Sequence, residues 1–232
     1  MDKIAENVAR IRAQIAEAAI AAGRDPASVQ LCAATKMNDA DAVRRAVAAG
    51  VDCCGENRVQ ELTEKLPQGA YTGKPIHFIG HLQKNKAKFV VGAVDLIQSV
   101  DSVELMQLLN RLAGERGICQ DILLEVNIGG EAAKSGAAPA DLEELLEQMA
   151  VLPGISVQGL MTVPPISEKE KEKRQFFSKM RHLSVDIKEK NIDNIDMQIL
   201  SMGMSGDYPE AILEGATLIR VGSAIFGQRV YP

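Results

Sequence analysis

Short apolar runs alternate along the chain with longer segments whose apolar residues recur every three or four positions. Eight such runs stand out, over residues 29–36, 51–55, 76–80, 95–99, 122–127, 155–160, 198–201 and 217–221. Each is short and poor in charge, so each reads as a strand covered on both faces. The intervening pattern is helical. Ile4, Val8, Ile11 and Ile15 predict an amphipathic helix from residue 2 to about 23, stopped by Gly23. A second helix is expected near 39–49, ending in Ala48-Ala49-Gly50. Leu105, Leu108, Leu109 and Leu112 predict another, preceded by Asp101 with Glu104 three residues later in the manner of a capping box. Leu142, Leu145, Leu146 and Met149 predict a further helix opened by Pro139. The charged stretch from Ser167 to Arg174, within 163–174, reads as a mobile loop leading into a solvated helix.

Regular alternation of buried strands with helices implies a parallel sheet, because each parallel crossover needs a helix to return the chain. Eight such units over 232 residues fit an α/β fold of the (β/α)8 TIM-barrel type with an extra N-terminal helix. An open Rossmann-like sheet is the alternative, but no Gly-x-Gly-x-x-Gly follows the first strand. No linker divides the chain, so residues 1–232 are expected to form a single domain.

The composition, 46% hydrophobic and 25% charged, is that of an ordinary globular chain. A net charge of -5 gives no basic field for nucleic acid, and 3% aromatic residues with no tryptophan give no platform for stacking bases. The first residues are acidic and amphipathic, unlike a secretion signal, and no apolar run is long enough for a bilayer. A cytoplasmic location is expected. Cys32, Cys53, Cys54 and Cys119 are too few and too poorly spaced for a disulfide framework or a four-ligand metal site, and read as reduced core residues. His77, His81 and His182 are likewise scattered, so no metal is expected.

The first run ends abruptly in Lys36. In a barrel, working residues sit at the carboxyl ends of strands. A lysine held there against apolar surroundings has its charged form disfavoured and its amine available to an aldehyde, the chemistry of a Schiff base. A strand-end lysine that merely reaches for solvent is the alternative. The seventh and eighth strands run into Ser201-Met202-Gly203-Met204-Ser205-Gly206-Asp207 and Gly222-Ser223-Ala224-Ile225-Phe226-Gly227. Loops at these two positions of a barrel recurrently bind phosphate through free amides, and glycine lets the backbone approach the anion. Ser201, Gly222 and Ser223 are the phosphate candidates. Arg220, just before them, would keep a basic ring nitrogen unprotonated by donating to it, or would pair with a carboxylate such as Glu125 or Glu56.

The runs Ala34-Thr35-Lys36, Gly55-Glu56-Asn57-Arg58-Val59-Gln60-Glu61, His77-Phe78-Ile79-Gly80, Leu82-Gln83-Lys84-Asn85-Lys86, Lys134-Ser135-Gly136, Leu200-Ser201-Met202-Gly203-Met204-Ser205 and Val221-Gly222-Ser223-Ala224-Ile225-Phe226-Gly227 carry a resemblance across nearly the whole chain. The sequence resembles the pyridoxal phosphate homeostasis protein family, single-domain relatives of the alanine racemase barrel. The resemblance implies a fold-type III barrel that binds pyridoxal 5′-phosphate. It places the aldimine on Lys36, the phosphate on Ser201, Gly222 and Ser223, the pyridine nitrogen at Arg220 and Asn57 beside the cofactor. Lys134 matches a loop lysine at the barrel mouth that would assist cofactor passage. Ile76 and His81 depart from the family's usual residues and bear on the shape of the mouth. A non-catalytic role in cofactor buffering and delivery to apoenzymes is implied. A racemase is the alternative, but the second domain that supplies its opposing acid/base is missing after Pro232, and a monomer is expected. An aldolase acting on a phosphorylated sugar would share the lysine and the phosphate site, but not Arg220.

Overall fold

The computed structural model describes residues 2–131 and 134–227. Strands β1 (Gln30–Ala34), β2 (Cys53–Glu56), β3 (Ile76–Phe78), β4 (Leu96–Val100), β5 (Gln120–Glu125), β6 (Ile155–Met161), β7 (Ile195–Ser201) and β8 (Leu218–Val221) pair in sequence order. All eight run parallel and close into a barrel. The closing seam is β1 against β8, with Gln30 opposite Leu218 and Ala33 opposite Val221. β2, β4 and β8 are buried along their whole length, as expected of strands with helices on one side and a filled lumen on the other.

Helices α1 (Lys3–Ala21), α2 (Ala40–Ala48), α3 (Val59–Lys65), α4 (Val103–Glu115), α5 (Leu142–Met149), α6 (Glu170–Glu189), α7 (Tyr208–Leu213) and α8 (Ser223–Phe226) cover the barrel. α1 starts at Asp2, whose carboxylate accepts from the Ile4 amide, and buries Ile4, Val8, Ile11, Ile15, Ala18 and Ala19. It lies across α2, α7 and α8. Asn7 Nδ2 donates to the Ile225 carbonyl at 2.9 Å, and the Tyr208 hydroxyl bonds Gln14. No described helix is long and apolar enough to cross a membrane.

Several expectations need correction. The crossover from β3 to β4 is a 3-10 segment, Lys84–Phe89, rather than an α-helix. α4 starts after Ser102 without a side-chain cap, and Asp101 instead faces the Gly136 amide at 3.5 Å. Pro139 opens a separate 3-10 turn, Pro139–Asp141, ahead of α5. The start of α6 is solvated, as expected, and carries surface ion pairs, Lys173 at 3.8 Å from Glu210 and Arg174 at 2.7 Å from Glu214. Cys119 is exposed, whereas Cys32, Cys53 and Cys54 are buried. In β6 the register shifts against both neighbours around Gly159, which has φ 149°; a Cβ there would lie 1.8 Å from the Ile199 carbonyl oxygen, so only glycine fits.

Candidate cofactor site

β1 ends at Ala34, and Lys36 stands half-buried in the turn two residues beyond it. Both of its neighbours are clamped. The Thr35 amide and hydroxyl donate to the Gly55 carbonyl, and the hydroxyl also reaches Glu56 Oε1 at 2.5 Å. Met37, held at φ 60°, donates its amide to Glu61 Oε2 at 2.6 Å. Glu56 Oε1 further accepts from Lys65 Nζ at 2.8 Å and from the Tyr71 hydroxyl at 2.9 Å. Lys65 Nζ in turn bonds the Thr35 carbonyl and Glu61. Glu56 is fully buried and Lys65 is 5% exposed, so this is a dry ion pair. Burial, reinforced by the Glu56 charge, pushes the Tyr71 phenol well up and keeps it a donor. Glu56 thus serves Lys65 and the lysine turn, not Arg220, which corrects one of the pairings considered from sequence.

The loop after β7 meets the start of α8 at the other side of the seam. Ser205 Oγ accepts from the amides of Gly222 and Ala224, at 3.2 and 3.3 Å. Asp207 Oδ1 holds the Met204 amide at 2.6 Å and fixes the loop; burial raises this carboxyl's pKa. A Cβ on Gly222 would stand 3.3 Å from the Ala34 carbonyl oxygen, so the bare backbone of β8's end lies against the strand that leads into Lys36. Ser223 is exposed beside it.

Ser201 lies deeper. It is fully buried, its hydroxyl donates to Gln98 Oε1 at 2.7 Å and it accepts from Arg220 Nη1 at 2.5 Å. Arg220 Nη2 donates to the Thr162 carbonyl at 2.8 Å. Arg220 is 4% exposed and burial lowers its pKa, against the opposing pull of Cys32, Glu125 and Asp207. Glu125 does not ion-pair with it among the described residues; it accepts from Ser135 at 2.9 Å, and burial raises its pKa. The structure therefore brings Gly222 and Ser223 together with Ser205, while Ser201 joins Arg220 below them. Register explains the difference. Ser201 pairs with Leu218 and Arg220 reaches the Gly203 carbonyl, so the residue opposite Gly222 is Ser205. Counting onward by twos from the strand would have found it.

Asn57 follows β2 directly, and its Oδ1 is buried with no partner among the described residues. A cavity of about 490 Å³ opens beside it, lined by Arg58, Glu61, Phe78, His81 and Lys86. Lys134 Nζ donates to the Pro164 carbonyl at 3.1 Å and pairs with Glu131, tying the loop after β5 to the loop after β6. Beneath the mouth, Cys32, Cys53 and His77 converge from three adjacent strands. Cys53 Sγ is 3.6 Å from His77 Nδ1, which is 2.9 Å from Gln98 Nε2. In sequence these residues look scattered; parallel pairing puts them side by side.

The sequence profile of the family described as "Alanine racemase, N-terminal domain" matches residues 1–230. A pyridoxal phosphate homeostasis protein of Pseudomonas aeruginosa is 42% identical over 233 residues, covering 100% of this chain and 98% of its own. One from Aquifex aeolicus is 39% identical over 226 residues, covering 97% and 98%. The chain belongs to the pyridoxal phosphate homeostasis protein family. The solved structure of PipY of Synechococcus elongatus with PLP bound superimposes with a TM-score of 0.85 at 38% identity, over 97% of this chain and 100% of that one. The closed eight-stranded barrel is thus the family's fold, and the resemblance read from the motifs holds from end to end.

Proposed function

We propose that this chain carries pyridoxal 5′-phosphate on Lys36 and acts in the homeostasis of that cofactor, buffering it and delivering it to apoenzymes, with no catalytic turnover of its own. The observation that carries this reading is the seam: the clamped turn of Lys36 and the open backbone of Gly222 sit on adjoining strand ends. The residues present fit the group. Pyridoxal 5′-phosphate supplies an aldehyde that condenses with an amine, losing water, and a phosphate that binds amide donors. Gly222 and Ala224 aim two N–H groups at one oxygen, that of Ser205, and both bonds are long enough to give way to an anion. Ser205, Gly222 and Ser223 hold the phosphate, and Asn57 offers its unpartnered Oδ1 near the mouth. Arg220 is a permanent donor whose orientation is fixed by Ser201 and Thr162, and it keeps a ring nitrogen unprotonated. Ser201 thus acts on the cofactor through Arg220. Lys134 guards passage by bridging two mouth loops. The protein works as a cytoplasmic monomer. The names of the relatives and the PLP-bound relative support this reading.

The test is to purify the protein, record its visible absorption, reduce it with borohydride and map the modified peptide. A yellow protein modified at Lys36, and colourless unmodified Lys36→Ala, is the expected result. A protein that takes up no added pyridoxal 5′-phosphate would overturn the reading. Interconversion of D- and L-alanine, abolished in Lys36→Ala, would overturn its non-catalytic part.

A further inference from the structure

We propose that Cys32, Cys53 and His77 form a binding site for one thiophilic divalent cation of the Zn²⁺ type, buried in the barrel one layer beneath the mouth. The ligand atoms, two Sγ and one imidazole nitrogen, all lie within 4.8 Å of one another. Their residues are 0%, 2% and 6% exposed. Zinc–sulfur bonds of about 2.3 Å and zinc–nitrogen bonds of about 2.0–2.1 Å, at tetrahedral to trigonal angles, set sulfur and nitrogen roughly 3.5–3.8 Å apart. The Cys53 Sγ to His77 Nδ1 separation is 3.6 Å. Two sulfurs and one imidazole select zinc over the hard cations magnesium and calcium.

The frame is preset. Cys32 and Cys53 are register partners on β1 and β2, and His77 follows on β3. Binding releases both thiol protons to solvent, so the cation and two thiolates form a neutral unit. That neutrality suits a buried position, where an uncompensated charge is costly. Gln98 Nε2 now occupies the Nδ1 lone pair. A half-turn of the Gln98 carboxamide presents its oxygen to the cation instead and supplies a fourth donor. That turn exchanges the Ser201 bond as well: the hydroxyl that now donates to Gln98 Oε1 faces Nε2 instead and accepts from it, and because Ser201 also holds Arg220 the cation is linked to the residues under the proposed cofactor. This site does not depend on the assignment of Lys36.

The experiment loads the reduced, chelator-stripped full-length protein with Zn²⁺, removes excess by dialysis, measures metal content and records zinc X-ray absorption. One zinc per chain with two sulfur neighbours at about 2.3 Å is expected. Cys32→Ala and Cys53→Ala should abolish stoichiometric retention, and Gln98→Leu should weaken it about 10–100-fold as loss of a supporting group does. Cys54→Ala, Cys119→Ala and Lys36→Ala should leave it unchanged. Absence of stoichiometric zinc, a shell of nitrogen and oxygen alone, or full retention in the two cysteine variants would each overturn the site. The wild-type spectrum decides the matter even where a cysteine variant fails to fold. Loss of zinc in Lys36→Ala would place the metal at the cofactor site and overturn it as well.

Discussion

Replacing Lys65 by methionine tests whether the turn that carries Lys36 is held from behind. Lys65 Nζ is the only counter-charge within 4.0 Å of the fully buried Glu56 among the described residues, and Glu56 Oε2 already has no partner. Removing one partner of a buried pair leaves the other charge uncompensated and costs about 3–5 kcal/mol. For a chain of this length, each kcal/mol lowers Tm by about 2–4 °C, so Lys65→Met should melt roughly 6–20 °C below wild type. Glu56→Gln/Lys65→Met removes both charges while the Thr35 and Tyr71 donors keep an oxygen to bond. It should recover most of that loss, because replacing a whole buried pair is often near neutral. Urea and thermal unfolding of wild type, Lys65→Met, Glu56→Gln and the double variant supply the numbers, and borohydride trapping of added pyridoxal 5′-phosphate reports on the turn itself. Lys65→Met should trap more slowly, since the Thr35 carbonyl and Glu61 both lose a donor. Unfolding of Lys65→Met within about 1 kcal/mol of wild type, or a double variant no better than the single, would refute the reasoning.

Ser205→Ala should weaken the cofactor by the worth of one hydrogen bond to a charged group, about 1.5–3 kcal/mol or roughly ten- to a hundred-and-fiftyfold in Kd, and by more than Ser201→Ala does; equal effects in a binding titration would put the phosphate elsewhere. Burial raises the Glu125 pKa above its ordinary 4.5, so between those two values the native state binds more protons than the unfolded one and stability falls as pH rises through that window. Glu125→Gln should therefore raise Tm at pH 7 and lose that advantage near pH 4; an advantage independent of pH would contradict a buried, ionised Glu125.

The fold was legible because each strand buries both faces and so appears as an apolar run, and because helices with wide apolar stripes separate most of them. The third crossover was not legible as structure. Lys84-Asn85-Lys86-Ala87-Lys88-Phe89 buries only Ala87, and its 3-10 shape is set by neighbours, not by its own periodicity. At the proposed site, Lys36 and Gly222 stand out in the sequence because each follows a strand-like run, and strand ends mark the barrel mouth. That Ser205, and not Ser201, faces the Gly222 amide was not legible, because it depends on the register between β7 and β8. Glu56 with Lys65 and Tyr71, and Cys32 with Cys53 and His77, were hidden for a related reason. The two cysteines and the histidine meet only through the pairing of whole strands, whereas Lys65 on α3 and Tyr71 beyond it reach Glu56 as the chain folds back over the end of β2.

The seam between β1 and β8 has a consequence for how the molecule is made. On the ribosome, β1 emerges early and cannot meet its second neighbour until residues 218–221 exist, so one edge of the nascent sheet stays open through nearly all of synthesis. Closing it joins segments almost the full chain apart, the slowest kind of contact to form. α1 can pack on α2 early, but its contacts with α7 and α8 form only at that same late moment. Pyridoxal 5′-phosphate held as proposed, by Lys36 beyond β1 and Gly222 beyond β8, would latch the newborn ring, and its supply would set how often the finished ring reopens.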